Sequence, residues 1–317
     1  MNDLRIAVLD DYQHVARKYA DWDSLKARIE VFHGAFPDTD TVVSQLADFD
    51  VVVAMRERTP FPAEVLHRLT RLKLLVTTGP VNASIDIPAA TAQGVVVCRT
   101  GYPDAAATSE LTWALILAAV RNLPAETRNV REGGWQLGVG TMLAGKTLGL
   151  LGLGRLGSRV AKVGQAFGME TIAWSQNLTA EKAAEHGVTA VTKSDLFTRS
   201  DVLSVHMVLS ERSRGIVGAA ELDSMKPTAL LVNTSRGPLV DEDALVRALR
   251  QRKIGGAALD VFDTEPLPRD HVLRSLDNVL VTPHIGYVTE GNYQVFYQHA
   301  VENIAAFIAG EPIRVLK

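Results

Sequence analysis

Short apolar runs alternate along most of the chain with longer stretches whose apolar residues recur at helical spacing. This alternation predicts parallel sheets built from strand–helix–strand units. The predicted strands of the first third are RIAVLD, IEVFHG, DVVVAM, KLLVTT and VVVCRT. A second series follows at TLGLLGLG, ETIAWS, DVLSVHM, ALLVNTS, GAALDVF and NVLVTPH. The pattern therefore indicates a protein of the α/β class.

Two domains are expected from the length and from a break in this pattern. The chain has 317 residues, which exceeds the ~250–300 residues at which single cores stop growing. The stretch YPDAAATSELTWALILAAVRNL, between the two strand series, predicts a long helix, and YQVFYQHAVENIAAFI predicts another after the last strand. We predict one domain from residues 1–101 with 288–317, the C-terminal helix packing back on it, and a second from residues 102–287.

Composition narrows the range of partners. The chain is 47% hydrophobic and 22% charged, with a net charge of −3 and no basic stripe, which argues against nucleic acid or an anionic membrane surface as a partner. The longest apolar run, Leu111 to Val120, is much shorter than the ~20 residues that a spanning helix needs. The single cysteine, Cys98, and an acidic, strand-like N-terminus predict a cytoplasmic location.

Residues 140–157 contain two phosphate-binding patterns, one after the other. Gly140–Thr147 fits the triphosphate loop G-x-x-x-x-G-K-[ST], whereas Gly152, Gly154 and Gly157 fit the dinucleotide pattern G-x-G-x-x-G. A triphosphate loop needs a strand before it and a helix after it. Here a glycine-rich stretch precedes the first pattern and a strand-like run follows it, so an ATP-dependent enzyme is the less favoured alternative.

The second pattern has the surroundings that a dinucleotide site requires. A strand-like run leads into Gly152, and apolar residues beyond Gly154 recur at helical spacing. Gly152 permits the tight turn, Gly154 lets the backbone approach a pyrophosphate, and Gly157 lets the helix and strand pack closely. We therefore predict that NAD or NADP binds here.

The choice between the two cofactors depends on the end of the second strand. NAD-preferring folds usually place a carboxylate there for the ribose hydroxyl. This chain has Ser175 and Gln176, with neither a carboxylate nor an arginine unless Arg155 reaches across. The pattern favours NADP by a small margin and leaves both cofactors open.

Three consecutive predicted strands end in groups suited to hydride transfer. They deliver Arg236, then Asp260 and Glu265, and then His284 to the edge where sheets of this kind bind ligands. A histidine can protonate the oxygen of a carbonyl that accepts hydride. Glu265 would favour the protonated ring and fix its orientation, and the planar guanidinium of Arg236 would hold a substrate carboxylate. Together, these three side chains predict an enzyme that interconverts a 2-oxo acid and a 2-hydroxy acid.

At this point the chain resembles the D-isomer-specific 2-hydroxyacid dehydrogenases over nearly its whole length. The motifs that carry the resemblance are LAGKTLGLLGLGRLG, LLVNTSRGPLVDEDAL, GAALDVFDTEPLP and VTPHIG. The resemblance implies a Rossmann domain inserted into a flavodoxin-like substrate domain, both doubly wound parallel sheets, and a homodimer built largely on the long helix near residues 104–121. It also implies that Arg236, Glu265 and His284 form the catalytic set. Because the chain ends soon after its last predicted helix, no C-terminal regulatory domain is expected.

The predicted cofactor contacts combine the glycine pattern with the family motifs. They are Gly152, Gly154, Arg155, Leu156, Gly157, Ser175, Gln176, His206, Thr234, Ser235, Asp260, His284 and Gly286.

Substrate binding is predicted at Gly79, Pro80, Arg56, Arg236 and Tyr287. The first two lie in TGPVNASID, where the family usually has a different, glycine-containing loop. The segment after His206 also departs from the family pattern because it lacks a proline. Small acids such as glyoxylate and hydroxypyruvate are the substrates that the resemblance suggests.

Two other functions are less favoured by the sequence. The family resembles certain nicotinamide-sensing co-repressors that act as partner-binding scaffolds and tend to carry extensions for their partners; no such extension is expected here, which favours the enzyme. NTSRG superficially fits a serine nucleophile turn, yet Asn233 replaces its first glycine. The spacing of the histidines predicts no metal site.

Overall fold

The computed structural model describes residues 4–102 and 106–316. The chain divides into two compact units, the first formed by Met1–Asp104 with Val288–Lys317 and the second by Ala105–Tyr287. The first unit is therefore built from both ends of the chain, with the second inserted between them.

The first unit contains a five-stranded parallel sheet. Its strands are β1 (Arg5–Val8), β2 (Arg28–Val31), β3 (Val51–Ala54), β4 (Leu74–Thr77) and β5 (Val96–Arg99). They lie in the order β2-β1-β3-β4-β5, and all pairs are parallel. This is the flavodoxin-like order, in which the chain reverses direction across the sheet between β1 and β3. β3 and β4 are buried at every position because helices cover both faces, whereas β2, at the edge, alternates exposed and half-buried residues.

Short helices connect these strands. They are α1 (Ala16–Tyr19), α2 (Thr39–Leu46), α3 (Ala63–Arg68) and α4 (Ile87–Ala92), with a 3-10 turn at Trp22–Leu25 and the C-terminal helix Glu290–Ile308. Asp38 and Asp86 cap α2 and α4 by accepting backbone N–H groups. The C-terminal helix packs on α1 and β4, where Phe296 and Tyr297 are fully buried.

The second unit contains a seven-stranded parallel sheet. Its strands are β6 (Thr147–Leu151), β7 (Glu170–Trp174), β8 (Thr189–Ala190), β9 (Val202–Val205), β10 (Leu230–Asn233), β11 (Gly256–Leu259) and β12 (Val279–Val281). They lie in the order β12-β11-β10-β9-β6-β7-β8, and every pair is parallel. This is the Rossmann order with one further strand, and it places the reversal between β6 and β9.

Helices on both faces cover this sheet. They are α5 (Ala106–Val120), α6 (Leu123–Arg131), α7 (Arg155–Ala166), α8 (Ala180–Ala184), α9 (Lys193–Arg199), α10 (Ala219–Ser224) and α11 (Glu242–Arg250), with 3-10 turns at Gly237–Leu239 and Val272–Arg274. α5 packs against α7, β10 and β11. Within residues 4–102 and 106–316, no helix combines the length and apolar character that crossing a membrane requires.

The predicted fold class is confirmed: both sheets are doubly wound and parallel. Each of the eleven predicted strand segments overlaps a strand, and all eleven run past its C-terminal end. Apolar residues just past the strand ends explain the difference. Leu9, Met55 and Val261 are buried although they lie beyond the last residue of the strand, so burial extends the apolar run past the paired residues. β8 was missed because it has only two residues, and residues 103–105 of the predicted long helix lie outside the described part of the chain.

Candidate functional site

The first glycine of the dinucleotide pattern lies between β6 and α7. Gly152 has a φ of +103°, and a Cβ there would lie 2.6 Å from the carbonyl oxygen of His206. Its N–H donates to the carbonyl of Trp174 at 2.9 Å. A side chain at this position would therefore be strained and would push apart the ends of two neighbouring strands. The preceding pattern, Gly140–Thr147, leads directly into β6, so its lysine and threonine do not begin a helix.

Gly154 and Gly157 shape the start of α7. A Cβ on Gly157 would overlap the carbonyl oxygen of Gly152, so the helix approaches the strand as closely as the backbone permits. A Cβ on Gly154 would meet no atom within 4 Å, and no side chain caps this helix. The helix thus has open space beside its N-cap residue and N–H groups in its first turn that no side chain caps. A pyrophosphate fits both features.

The end of β7 has no charged side chain in its turn. Ser175 is half-buried and Gln176 is exposed, and the carbonyl of Ser175 accepts the N–H of Leu178 at 3.1 Å. Arg155 is exposed at the first position of α7, followed by the half-buried Leu156.

His206 follows β9 at the same edge of the sheet. Its Nε2 lies 2.9 Å from Oγ of Ser204, while its Nδ1 is buried and has no hydrogen-bond partner among the described residues. Burial lowers the pKa of His206 to about 4, because the interior disfavours the charged ring. The imidazole is therefore neutral near pH 7.

Thr234 and Ser235 follow β10, and both are buried. Oγ of Ser235 donates to the carbonyl of Val205 at 2.7 Å, which ties the ends of two neighbouring strands together. Oγ1 of Thr234 lies 2.8 Å from Oγ1 of Thr112 on α5. Both hydroxyls hold the backbone of this turn in place.

Arg236 is positioned by the same turn. Its Nη1 donates to the carbonyl of Ser235 at 2.7 Å, and its own carbonyl accepts Nδ2 of the buried Asn233 at 2.9 Å. A Cβ on the next residue, Gly237, would overlap the backbone of Phe262. Only glycine lets the turn that carries Arg236 approach the turn after β11 so closely.

Glu265 and His284 form a hydrogen-bonded pair. Oε2 of Glu265 lies 2.5 Å from Nδ1 of His284, and Oε1 accepts the N–H of Phe262 at 2.9 Å. The exposed fractions of the two side chains are 31% and 20%, so the pair is partly desolvated. His284 has a φ of +53°, a left-handed conformation that a non-glycine residue adopts only under local constraint.

Asp260 provides that constraint. It is buried, and its carboxylate accepts the hydroxyl of Thr282 at 2.6 Å and the N–H groups of Ile285 and Gly286 at 2.9 and 2.8 Å. Burial raises the pKa of Asp260, against the opposing effect of these hydrogen bonds and of the nearby His284. The bonded residues lie on both sides of His284, so Asp260 fixes the turn that carries the histidine.

Tyr287 is buried, and its ring meets that of His284 edge-to-face, with centroids 5.7 Å apart. Gly286 lies between them, and its carbonyl accepts Oγ1 of Thr108 at 3.1 Å. The aromatic ring therefore packs against the histidine from within the same turn.

The residues predicted in the first unit lie at the carboxyl ends of β3 and β4. Arg56 has a φ of +53°, and a Cβ on Gly79 would overlap its Nη1, so the guanidinium lies across the glycine. Pro80 follows directly and is half-buried. Asn82, which the sequence did not single out, is buried and donates to the carbonyl of Arg56 at 2.6 Å.

The second unit thus brings Arg236, Glu265 and His284 to the ends of the adjacent strands β10, β11 and β12. Sequence reasoning did not identify the supporting contacts of Asn233, Gly237 and Thr282. A signal was present in the sequence, since Asn233 is a polar residue that closes an apolar strand.

Among the described residues, no three or more His, Cys, Asp or Glu side chains form a group that could hold a metal ion.

The sequence is similar to known dehydrogenases over most of its length. A family model described as D-isomer specific 2-hydroxyacid dehydrogenase, NAD binding domain, matches residues 113–286. The chain is 38% identical over 284 residues to glyoxylate reductase from Aeropyrum pernix, covering 87% of this chain and 84% of that protein. It is 39% identical over 275 residues to D-3-phosphoglycerate dehydrogenase from Methanocaldococcus jannaschii, covering 86% of this chain and 52% of that protein.

Solved structures of similarly named enzymes have the same fold as this chain. Phosphoglycerate oxidoreductase from Vibrio cholerae O395 superposes with a TM-score of 0.92 at 39% identity, covering 97% of this chain and 99% of that chain. The apo-structure of D-lactate dehydrogenase from Escherichia coli gives a TM-score of 0.83 at 26% identity, covering 99% and 100%.

Proposed function

The chain belongs to the D-isomer-specific 2-hydroxyacid dehydrogenases, as its motifs predicted, and we propose that His284, Glu265 and Arg236 perform the reaction of that family here. The protein is a nicotinamide-dependent oxidoreductase of 2-hydroxy acids. The observation that carries the assignment of roles is the 2.5 Å contact between His284 Nδ1 and Glu265 Oε2, at the sheet edge that also bears the glycine turn.

His284 acts as the general acid and base. With Nδ1 held by the carboxylate, Nε2 is the ring nitrogen that exchanges a proton with the substrate oxygen. When bound, the nicotinamide supplies the hydride to carbon 2 of the 2-oxo acid or accepts it from the 2-hydroxy acid. In reduction, Nε2 gives its proton to the oxygen at carbon 2, and in oxidation it takes that proton back.

Glu265 and Arg236 support this proton transfer. The carboxylate holds Nδ1 and, because it also accepts the N–H of Phe262, it fixes the orientation of the imidazole. The guanidinium of Arg236 presents a planar set of donors that matches a carboxylate, so it holds the substrate acid and polarises the adjacent carbonyl.

The cofactor is held by the turn between β6 and α7 and by the neighbouring strand ends. The uncapped first turn of α7 would hold the pyrophosphate, with Arg155 and Leu156 as its first residues. The other contacts proposed for the cofactor are Gly152, Gly154, Gly157, Ser175, Gln176, His206, Thr234, Ser235, Asp260, His284 and Gly286. At the second phosphate, the lack of a carboxylate at Ser175 or Gln176 favours NADP slightly.

The substrate is proposed to be a small 2-oxo acid and its D-2-hydroxy acid. Relatives named glyoxylate reductase, aligned over most of their length, support glyoxylate or hydroxypyruvate as candidates. Besides Arg236, the residues proposed to contact the substrate are Gly79, Pro80, Arg56 and Tyr287. The cytoplasmic location remains a prediction.

A homodimer is also proposed. The segment after α6 exposes large apolar side chains: Trp135 is 76% exposed, Leu137 60%, Val139 98% and Met142 75%. Water contact with so many neighbouring apolar groups is costly, and a second copy of the chain would cover them. Sedimentation should give the mass of a dimer, and a Trp135→Ser, Val139→Ser variant should shift towards the monomer.

The central test is oxidation of NADPH and NADH by the purified protein with glyoxylate, hydroxypyruvate, pyruvate and phenylpyruvate. We expect turnover with at least one acid and a loss of roughly 10²- to 10⁴-fold in His284→Ala. His186→Ala, which removes an exposed histidine of the second unit, is the matched control. Tight nicotinamide binding without any turnover would instead favour the sensing protein.

A further inference from the structure

Arg56 is held rigidly at the end of β3. Its N–H donates to Oγ1 of Thr78 at 2.9 Å and its Nη1 to the carbonyl of the same residue at 3.4 Å. Its carbonyl accepts Nδ2 of Asn82, and its guanidinium carbon lies 5.9 Å from the centre of the Tyr102 ring. The side chain is only 15% exposed, so Arg56 is a fixed, largely desolvated cation.

The next residue, Glu57, places a carboxylate beside this cation. Its Oε2 lies 3.7 Å from Nη2 of Arg56, and its side chain is only 17% exposed. Charges that are mostly removed from water interact over longer distances than exposed ones, because solvent screens them less. The pair therefore places the hydrogen-bond donors of Arg56 next to a largely desolvated negative charge.

This arrangement lies where a ligand of the first unit is expected. Arg56 and Glu57 follow β3, and Gly79 follows the adjacent strand β4, at the edge where open parallel sheets bind ligands. The guanidinium lies across the positive-φ Gly79, and the carboxylate of Glu57 lies 3.7 Å from it. Any anionic group bound against this surface would meet the charge of Glu57.

We propose that Glu57 is a specificity-determining residue: its carboxylate, beside Arg56, selects 2-oxo acids whose only anionic group is the carboxylate next to the carbonyl. Acids with a second anion, such as a phosphate or a distal carboxylate, are rejected because that anion is repelled by the carboxylate of Glu57. Discrimination of this kind depends on a repulsive element as much as on an attractive one. The proposal rests on the oxidoreductase function proposed above.

The test uses pairs of substrates that differ in one anionic group. We would measure kcat and KM for pyruvate against oxaloacetate, and for hydroxypyruvate against its phosphate ester. In Glu57→Gln, which keeps the shape of the side chain, the ratio of kcat/KM for the dianionic to the monoanionic acid should rise at least about tenfold, mainly through KM. Glu57→Asp retains the charge and should keep the ratio of the wild type.

Glu64→Gln is the matched control, because it removes one negative charge from an exposed position on α3 of the same unit. Its ratio should equal that of the wild type within about twofold, since exposed charges are screened. An unchanged ratio in Glu57→Gln, with normal turnover, would overturn the role of Glu57 alone. Wild-type protein that turns over none of the acids would overturn the proposed function and this inference with it.

Discussion

Nδ1 of His284 lies 2.5 Å from Oε2 of Glu265, and the other oxygen of that carboxylate is occupied by the N–H of Phe262. The backbone of Phe262 therefore fixes the carboxylate, and the carboxylate in turn orients the histidine. A histidine arranged in this way has one defined nitrogen for proton exchange.

Glu265→Gln should lower kcat at least about tenfold, because the amide has only one acceptor oxygen and cannot hold both Nδ1 of His284 and the N–H of Phe262. Steady-state kinetics with the best acid of the panel would measure this change. Glu185→Gln, at the exposed end of α8, should leave kcat unchanged. Equal kcat in wild type and Glu265→Gln would contradict the orienting role.

Asp260→Asn should destabilise the turn that carries His284. The amide presents N–H donors where the carboxylate accepted the N–H of Gly286 or Ile285, so one buried bond is lost and a donor faces a donor. We expect a loss of roughly 1–3 kcal/mol in the free energy of unfolding, together with a lower kcat. Asp277→Asn, which breaks an exposed pair with Arg252, should cost less than about 1 kcal/mol. Similar losses in the two variants would argue against Asp260 as the anchor.

Two glycine substitutions should separate cofactor binding from folding. Gly154→Ala meets open space, so its thermal unfolding should match the wild type, while its dissociation constant for the nicotinamide cofactor should rise about tenfold or more because the methyl group faces the pyrophosphate. Gly237→Ala overlaps the backbone of Phe262 and should cost about 1–3 kcal/mol of stability. Calorimetry would measure the stability of both variants, and cofactor titration would measure their dissociation constants for the nicotinamide cofactor. A Gly154→Ala protein with unchanged cofactor affinity would refute the position of the pyrophosphate.

His206 should make stability depend on pH. Burial lowers its pKa from 6.5 to about 4 in the folded state, so the unfolded chain takes up the proton first as the pH falls. The free energy of unfolding contributed by His206 is fully present above pH 6.5. It decreases as the pH falls from 6.5 to about 4 and stays constant at lower pH. The loss amounts to about 3 kcal/mol at most.

Urea titrations at pH 7 and pH 4.5 would test this dependence. His206→Gln, which stays neutral, should lose less free energy of unfolding between the two pH values than the wild type loses. His186→Gln removes an exposed histidine and should behave like the wild type. Parallel losses in wild type and His206→Gln would show that His206 does not drive the change.

The sequence alone determined the strand series and the α/β class, because buried parallel strands require continuous apolar runs that can be read locally. It also separated the two phosphate patterns at Gly140–Thr147 and Gly152–Gly157, since what precedes and follows each pattern is a local property. The set Arg236, Glu265 and His284 could be proposed because each follows a recognisable strand.

Only the tertiary structure decided how those side chains are held. The contact of Asp260 with Gly286 and that of Gly237 with Phe262 join residues on different strands, so they depend on strand order and on how each turn leaves the sheet. Burial is likewise a property of the assembled fold: nothing in the segment MRERTPF distinguishes an arginine in water from one fixed across Gly79 beside Glu57. Charges, distances and exposure arise when distant segments meet, and for that reason the sequence identified the candidate chemistry while the packing determined its geometry.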